Sequence, residues 1–426
     1  MRRCVIPASR HIAIIAPPTP GHFNPLQALG TAMMAHGHRV TMVHIADAAS
    51  LVREPDVGFA ALDGSSARPG ALAGYLARLA DATGPIGLTR MIRATATMTE
   101  ALLDHAPTLL ERIGVDAVIA DSAEPAGSLI ARRIGVPYVV SVTGLPLLRE
   151  PDVPPPFLGW AYRANRLGRF RNRGGYAVSD VLLRPITQVL DARRRAWGLE
   201  REGAPRLVVA QCPQGLDYPR TAPIVFGGPW RSVTREEPDL PADGRPLIFC
   251  SLGTLQGSRR RLFAMMAQAC AAIGARAVIG HGGGLSAEQA AALPGDPLVR
   301  AFWPQEAILS RCVAAVLHGG FNSVLDALAA GVPIVALPIA FEQPGTAARV
   351  VRVGAGLSLS PRWLTVRSLS AALRTVTGNA CYRRAAEELA AEMATAGGAS
   401  QAAALASAAL TEDGGGGRGQ GEMWKA

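Results

Sequence analysis

Residues 314–337 read Ala314-Ala315-Val316-Leu317-His318-Gly319-Gly320-Phe321-Asn322-Ser323-Val324-Leu325-Asp326-Ala327-Leu328-Ala329-Ala330-Gly331-Val332-Pro333-Ile334-Val335-Ala336-Leu337. The stretch parses as a strand from Ala314 to His318, a loop, a helix from Val324 to Ala330, the break Gly331-Val332-Pro333, and a strand from Ile334 to Leu337. The same order occurs upstream. Val115 to Asp121 reads as a strand, Ala126 to Arg133 as a helix, then Gly135-Val136-Pro137 and the strand Tyr138 to Val142. One such unit in each half predicts two Rossmann-like, doubly wound α/β domains facing each other across a cleft.

Two further strand–loop–helix openings fit that plan. The first is a strand at Ile12–Ile15, a loop from Pro17 to Pro25, a helix from Leu26 to about His36 and a strand from Arg39 to His44. The second is a strand ending at Cys250, the loop Ser251 to Gly257, a helix over Arg260–Ile273 and a strand at Ala275–Gly280. Open α/β sheets bind ligands beyond the carboxyl ends of their strands, so the chemistry is to be sought in the loops that follow. Glycine, proline and charge between Phe226 and Pro241 mark the join. The expected parts are a domain over 1–228, a linker over 229–240, a domain over 241–410 and a Gly-rich disordered tail over 411–426.

The chain of 426 residues is long for one core, and 49% hydrophobic with 18% charged residues excludes wholesale disorder. The net charge of +10 is almost all arginine, Lys425 being the only lysine. Nucleic acid, an anionic membrane face and a phosphorylated small molecule all fit that charge. No RNA-binding signature or zinc-finger spacing is present, so no nucleic-acid partner is expected. Cys4, Cys212, Cys250, Cys270, Cys312 and Cys381 form no C-x-x-C pair and read as buried free thiols of a reducing compartment. Met1 to Pro7 lacks the apolar stretch of a signal peptide, and no run is long enough to span a bilayer. A cytoplasmic protein is expected. Pro151 to Gly175 reads as a long irregular insertion. Its Arg163, Arg166, Arg169, Arg171 and Arg173, interleaved with Trp160, Tyr162 and Phe170, suit either peripheral docking on anionic headgroups or a solvated basic loop.

Chemistry concentrates between Phe302 and Gln343. Phe302-Trp303-Pro304-Gln305 is followed by His318-Gly319-Gly320-Phe321-Asn322-Ser323, then Asp326 and Phe341-Glu342-Gln343. His318 ends a strand, and Gly319 and Gly320 let the backbone approach a ligand. Asn322 and Ser323 stand where the next helix begins, with free N–H groups toward the loop. That is a diphosphate site built on a helix N-terminus. Asp326, one turn in, stands where it can hold ribose hydroxyls.

This ordered string resembles the donor signature of the family-1, UDP-sugar-dependent glycosyltransferases with the GT-B fold. Other strings resemble the carotenoid branch of that family. They are Ile14-Ile15-Ala16-Pro17-Pro18, Glu124-Pro125-Ala126-Gly127, Leu145-Pro146-Leu147 with Arg149-Glu150-Pro151, and Ser251-Leu252-Gly253-Thr254-Leu255-Gln256-Gly257. Gly283-Gly284-Leu285-Ser286-Ala287 and the run from Ala336 to Gly345 complete the likeness, which covers about residues 11 to 410.

The resemblance implies an N-terminal acceptor-binding domain and a C-terminal UDP-sugar-binding domain. His318 and the backbone of Gly319 to Ser323 would hold the diphosphate, with Ser251, Gly253 and Thr254 in the facing loop. Gln305 would lie at the uridine, Asp326 at the ribose, and Glu342 and Gln343 at the hexose. Phe302 would stack on uracil where many relatives have tryptophan; here Trp303 comes one residue later. Relatives usually carry glutamate in place of Asp326, and many carry aspartate in place of Glu342.

Relatives carry their catalytic histidine in the segment Gly21-His22-Phe23-Asn24-Pro25. A neutral imidazole there can take the proton of an acceptor hydroxyl, and Asp121 at the end of its strand can orient it. Asp121-Ser122-Ala123-Glu124 also reads as a helix cap, and Asp104 is the reserve partner. The implied reaction inverts the sugar, moving glucose from UDP-glucose as co-substrate to the hydroxyls of zeaxanthin, an apolar carotenoid acceptor. It would give the β-glucoside and the diglucoside. Another apolar acceptor (a macrolide, sterol or glycolipid) stays open, as do a non-catalytic sugar-nucleotide binder and an epimerase. No Asp-x-Asp pair occurs, so no metal is expected.

Overall fold

The computed structural model describes residues 9–64, 69–82, 84–199, 203–232, 237–241 and 243–411. The Met1–Pro7 segment with Cys4, linker residues 233–236 and the expected tail apart from Thr411 lie outside them.

Two parallel sheets organise the chain. The first contains β1 (His11–Ile15), β2 (Arg39–His44), β3 (Gly58–Ala61), β4 (Ala117–Asp121), β5 (Tyr138–Val142), β6 (Val208–Ala210) and β7 (Val225–Phe226). The second contains β8 (Leu247–Ser251), β9 (Arg276–Gly280), β10 (Leu298–Arg300), β11 (Cys312–Leu317), β12 (Ile334–Ala336) and β13 (Gly356–Ser358). Their orders are β3-β2-β1-β4-β5-β6-β7 and β10-β9-β8-β11-β12-β13. Both are the doubly wound arrangement expected from the repeated units. All five residues of β1 and of β4 are buried, as both-face coverage by helices requires. Strand order reverses between β1 and β4 and again between β8 and β11, since β1 also pairs with β2 and β8 with β9. A crevice opens at each reversal, and the two crevices carry the site.

The connecting helices are α1 (Pro20–Ala35), α2 (Ala71–Ala80), α3 (Gly84–Arg112), α4 (Ala126–Arg133) and α5 (Arg166–Ala196). The second domain adds α6 (Arg260–Ala271), α7 (Ala287–Ala291), α8 (Gln305–Leu309), α9 (Phe321–Ala329) and α10 (Gln343–Arg352). The chain closes with α11 (Val366–Gly378), α12 (Ala380–Thr395) and α13 (Gly398–Thr411).

Four expectations are corrected. The Pro17–Pro25 loop is shorter than read, because α1 begins at Pro20 and carries Pro25 inside it. Proline suits a first helical turn, and Pro25 forfeits only one backbone bond. The irregular insertion ends early, because Asn165 caps α5 by accepting from Gly168 N at 2.8 Å. The final helix does not stay with the 241–410 domain. Ala402, Ala403, Ala406 and Leu410 of α13 are buried in the first domain's core with Leu29 and Met33, and His38 Nε2 lies 2.7 Å from Ser407 Oγ. Finally, Cys381 is exposed, while Cys212, Cys250, Cys270 and Cys312 are buried free thiols.

One apolar cluster crosses the domain boundary, joining Val142, Leu145 and Leu216 to Phe321, Val324 and Ala347. A buried ionic group reinforces it. Asp217 accepts from Arg220 Nε at 2.5 Å and from Arg349 Nε at 2.7 Å. Arg349 lies in the last turn of α10, so this group ties α10 to the first domain.

Candidate active site

The first wall grows from the ends of β1, β4 and β5. In α1, the N–H of residue 25 would bond the carbonyl of residue 21, but proline has none. Gly21 O accepts instead from Asn322 Nδ2 of the second domain at 2.6 Å. The next residue, His22, is thereby held at the cleft. Its Nδ1 lies 2.7 Å from Thr143 Oγ1 and 3.3 Å from Asp121 Oδ1. Thr143 Oγ1 donates to Asp121 Oδ2 at 2.5 Å. The threonine proton is thus engaged, so His22 Nδ1 acts as donor and Nε2 keeps its lone pair.

Burial pushes the His22 pKa down, but the Asp121 carboxylate outweighs it by charge and hydrogen bonding. Glu342 and Glu124 add to that attraction, and the net shift is upward. Glu124 is itself pushed up to about 7 by burial, against hydrogen bonds from Ala126 N and Thr99 Oγ1. The Asp121–Glu124 capping box is not formed. Asp121 accepts from Ala123 N at 2.8 Å, a local turn, and still reaches His22. Asp104 is elsewhere, bonded to Arg193 between α3 and α5.

The second wall grows from the ends of β8 and β11. His318 is 9% exposed, and burial lowers its pKa to about 4, so the ring is neutral near pH 7. Its Cε1–Nε2 edge faces Gly253 and Gly320. A Cβ at Gly253 would sit 2.8 Å from Cε1, and one at Gly320 would collide with Nε2. Gly253 also has φ of 68°, and Gly319 of 86°, which favour glycine. Gly320 caps α9 without a side-chain bond, leaving the first-turn N–H groups of Phe321, Asn322 and Ser323 directed at the cleft. Ser251 Oγ accepts from Gly253 N at 3.2 Å and so shapes the loop, while Thr254 is exposed beside it.

Several side chains have other duties than the sequence suggested. Asn322 spans the domains, its Oδ1 accepting from Gln211 Nε2 at 2.7 Å. Asp326 is not a free acceptor: Arg231 Nε reaches Oδ1 at 2.6 Å and Gln305 Nε2 reaches Oδ2 at 2.9 Å. Burial raises the Asp326 pKa, against Arg231. Gln343 Oε1 accepts from Ile339 N at 2.8 Å and Ala340 N at 2.9 Å, pinning its own loop. In that loop Phe341 has φ of 56°, a strained value for a bulky side chain. Glu342 follows directly, and its carboxylate and the His22 ring each feel the other's charge; burial raises the Glu342 pKa, and His22 opposes this. Trp303 is tied down by Nε1 to Ile279 O at 2.9 Å and by Arg300 4.2 Å above its ring. Phe302 is 59% exposed and offers a free aromatic face.

Thr143, Gln211 and Arg231 were missed by the sequence reading. Thr143 follows Val142 directly, so its place at the strand end beside Asp121 was the available signal. Gln211 likewise directly follows the short strand β6, while Arg231 had no signal, because its role arises only when the linker folds back against α9.

Two facing doubly wound domains, with a histidine–carboxylate pair on one side and a glycine-lined helix N-terminus on the other, define a glycosyltransferase of the GT-B class. Residues 265–404 match the family described as erythromycin biosynthesis protein CIII-like, C-terminal domain. The chain is 34% identical to zeaxanthin glucosyltransferase from Pantoea ananas, over 91% of this chain and 93% of that one. It is 36% identical to zeaxanthin glucosyltransferase from Pseudescherichia vulneris, over 82% of this chain and 86% of the other. The crystal structure of the kitacinnamycin glycosyltransferase superposes with a TM-score of 0.76 at 21% identity, over 95% of this chain and 100% of that one. The chain belongs to the glycosyltransferase family that includes the zeaxanthin glucosyltransferases, and it is an enzyme of that class.

Proposed function

We propose that the protein transfers glucose from UDP-glucose to the hydroxyl groups of zeaxanthin, giving the β-glucoside and then the diglucoside. The observation that carries the reading is the bond from Asn322 Nδ2 to Gly21 O. It sets His22, the neighbouring residue, opposite the helix N-terminus that would hold the diphosphate. The acceptor is supported by the two relatives, which match over most of both chains.

In this reading the diphosphate lies against His318, Gly319, Gly320 and the first-turn N–H groups of α9. Phe302 stacks on uracil, the Arg231–Asp326–Gln305 trio backs the ribose, and Glu342 meets the hexose. His22 Nε2 takes the acceptor proton while the freed oxygen attacks the anomeric carbon from the face opposite UDP. The carbon–oxygen bond to UDP breaks in the same step, and the diphosphate leaves toward backbone donors and the α9 dipole. The proton stays on the imidazole, where Asp121 stabilises it. These donors supply the leaving-group stabilisation, so we propose no metal.

Zeaxanthin dissolves in bilayers, so the reading includes a cytoplasmic protein in peripheral contact with the inner face of an anionic membrane. Among the described residues no helix is long and apolar enough to cross one. The test is mass spectrometry of products from purified protein, UDP-glucose and detergent-dispersed zeaxanthin, with EDTA present. Adducts of one and two hexoses are expected. Transfer to a macrolide or sterol alcohol but not to zeaxanthin would overturn the acceptor, and a requirement for added divalent cation would overturn the metal-free mechanism.

A further inference from the structure

α5 is built inside out. Its buried residues are Gly168, Asn172, Gly175 and Ser179, small or polar, at spacings of three and four. The segment before the helix packs on that face. Asn172 Nδ2 donates to Pro151 O at 3.0 Å and Tyr176 to Val153 O at 3.2 Å. A Cβ at Gly175 would lie 2.8 Å from the Trp160 ring and 2.9 Å from Pro155.

The outward face is apolar. Leu167 is 76% exposed, Phe170 70%, Val178 61%, Val181 59% and Leu182 41%. Their spacing puts them in one stripe along a helix of 31 residues, about 46 Å long. Arg166, Arg173 and Arg184 border the stripe, are exposed, and make no ion pair with any described residue. Arg169 and Arg171 are engaged, the first with Asp152 at 2.7 Å and the second 4.9 Å above Trp160. The basic run read from the sequence therefore divides into arginines that hold the insertion and arginines that face outward.

We infer that α5 is a membrane-docking element, lying in the interface of an anionic leaflet with Leu167, Phe170, Val178 and Val181 inserted. Apolar side chains enter the acyl boundary while the bordering guanidinium groups meet lipid phosphates. Charge complementarity favours that occupant over a second copy of the chain, whose matching stripe would bring arginine rows together. The inference rests on the proposed acceptor being drawn from a bilayer. The insertion under the helix's buried face runs to α10, which begins at Gln343 beside Glu342: a Cβ at Gly345 would strike Pro156 O.

The experiment is vesicle flotation of the full chain, using phosphatidylcholine alone and phosphatidylcholine with phosphatidylglycerol. Wild type floats with the anionic vesicles. Phe170→Asp/Val181→Asp and, separately, Arg166→Glu/Arg173→Glu each weaken partitioning roughly tenfold or more. Both retain wild-type circular dichroism and wild-type transfer to detergent-dispersed zeaxanthin. Wild type that stays unbound, or variants that float like it, overturns the proposal. So does a dimer, seen by sedimentation, that Phe170→Asp/Val181→Asp dissociates without changing flotation. Intact flotation with no transfer to dispersed zeaxanthin would sink the acceptor reading and leave the docking surface standing.

Discussion

His22→Ala lowers turnover by about 10²–10⁴-fold, the usual worth of a positioned general base, and leaves UDP affinity within about twofold. The asymmetry follows from geometry. His22 touches Thr143 and Asp121 of its own domain, whereas the bond that ties its segment to the donor wall is made by the backbone of Gly21. Removing the imidazole therefore spares the cradle. The same residue sets the pH profile. Only the neutral ring accepts a proton, and the His22 pKa is raised above the ordinary value of 6.5. Activity is consequently full at alkaline pH and is lost as pH falls through that raised pKa. Asp121→Asn removes the largest upward cause, so the acid limb moves to lower pH as the rate drops. Thr143→Val removes the hydroxyl linking the pair and gives a smaller loss. Steady-state kinetics across pH, with calorimetric titration of UDP, checks all three. Normal turnover by His22→Ala, or loss of its UDP binding, would remove His22 as the base.

The second large effect lies on the other wall. His318→Ala lowers kcat/KM for the sugar nucleotide by about 10²-fold, the scale of losing one aimed donor to a developing oxyanion. The ring is already neutral, with a pKa near 4, so its loss leaves the acid limb set by His22 in place. Gly320→Ala tests the same feature without deleting the histidine. The new methyl would strike Nε2 and displace the ring, so donor affinity falls while the first domain is untouched. Unchanged kcat/KM in both variants would separate His318 from the donor site.

The fold was legible because the strand, loop, helix and Gly-Val-Pro break recur in each half, and that order permits few packings. Asp121 was legible at the rim because it ends a central strand, whereas His22 was named from the family resemblance; the structure brings the two within 3.3 Å. What escaped depends on where the chain returns. Pro25 reads locally as a helix breaker, yet in the second turn it costs one bond and frees the carbonyl that Asn322 uses. Asp326 looked like a free carboxylate because Arg231 lies 95 residues away along the chain. α13 gave no sign of its destination: an alanine-rich helix suits either core, and only the complementary face of α1 selects one. The start of α5, up to Gly175, was read as irregular because its exposed apolar residues and buried glycines reverse the usual pattern of a surface helix.

In the proposed single displacement, His22 activates the acceptor hydroxyl on the face opposite the departing diphosphate. Proton NMR of the purified product reports the outcome through the coupling between the first two sugar protons. A β-linked glucoside from the α-linked donor is expected. An α-linked product would mean retention and would contradict this geometry of attack.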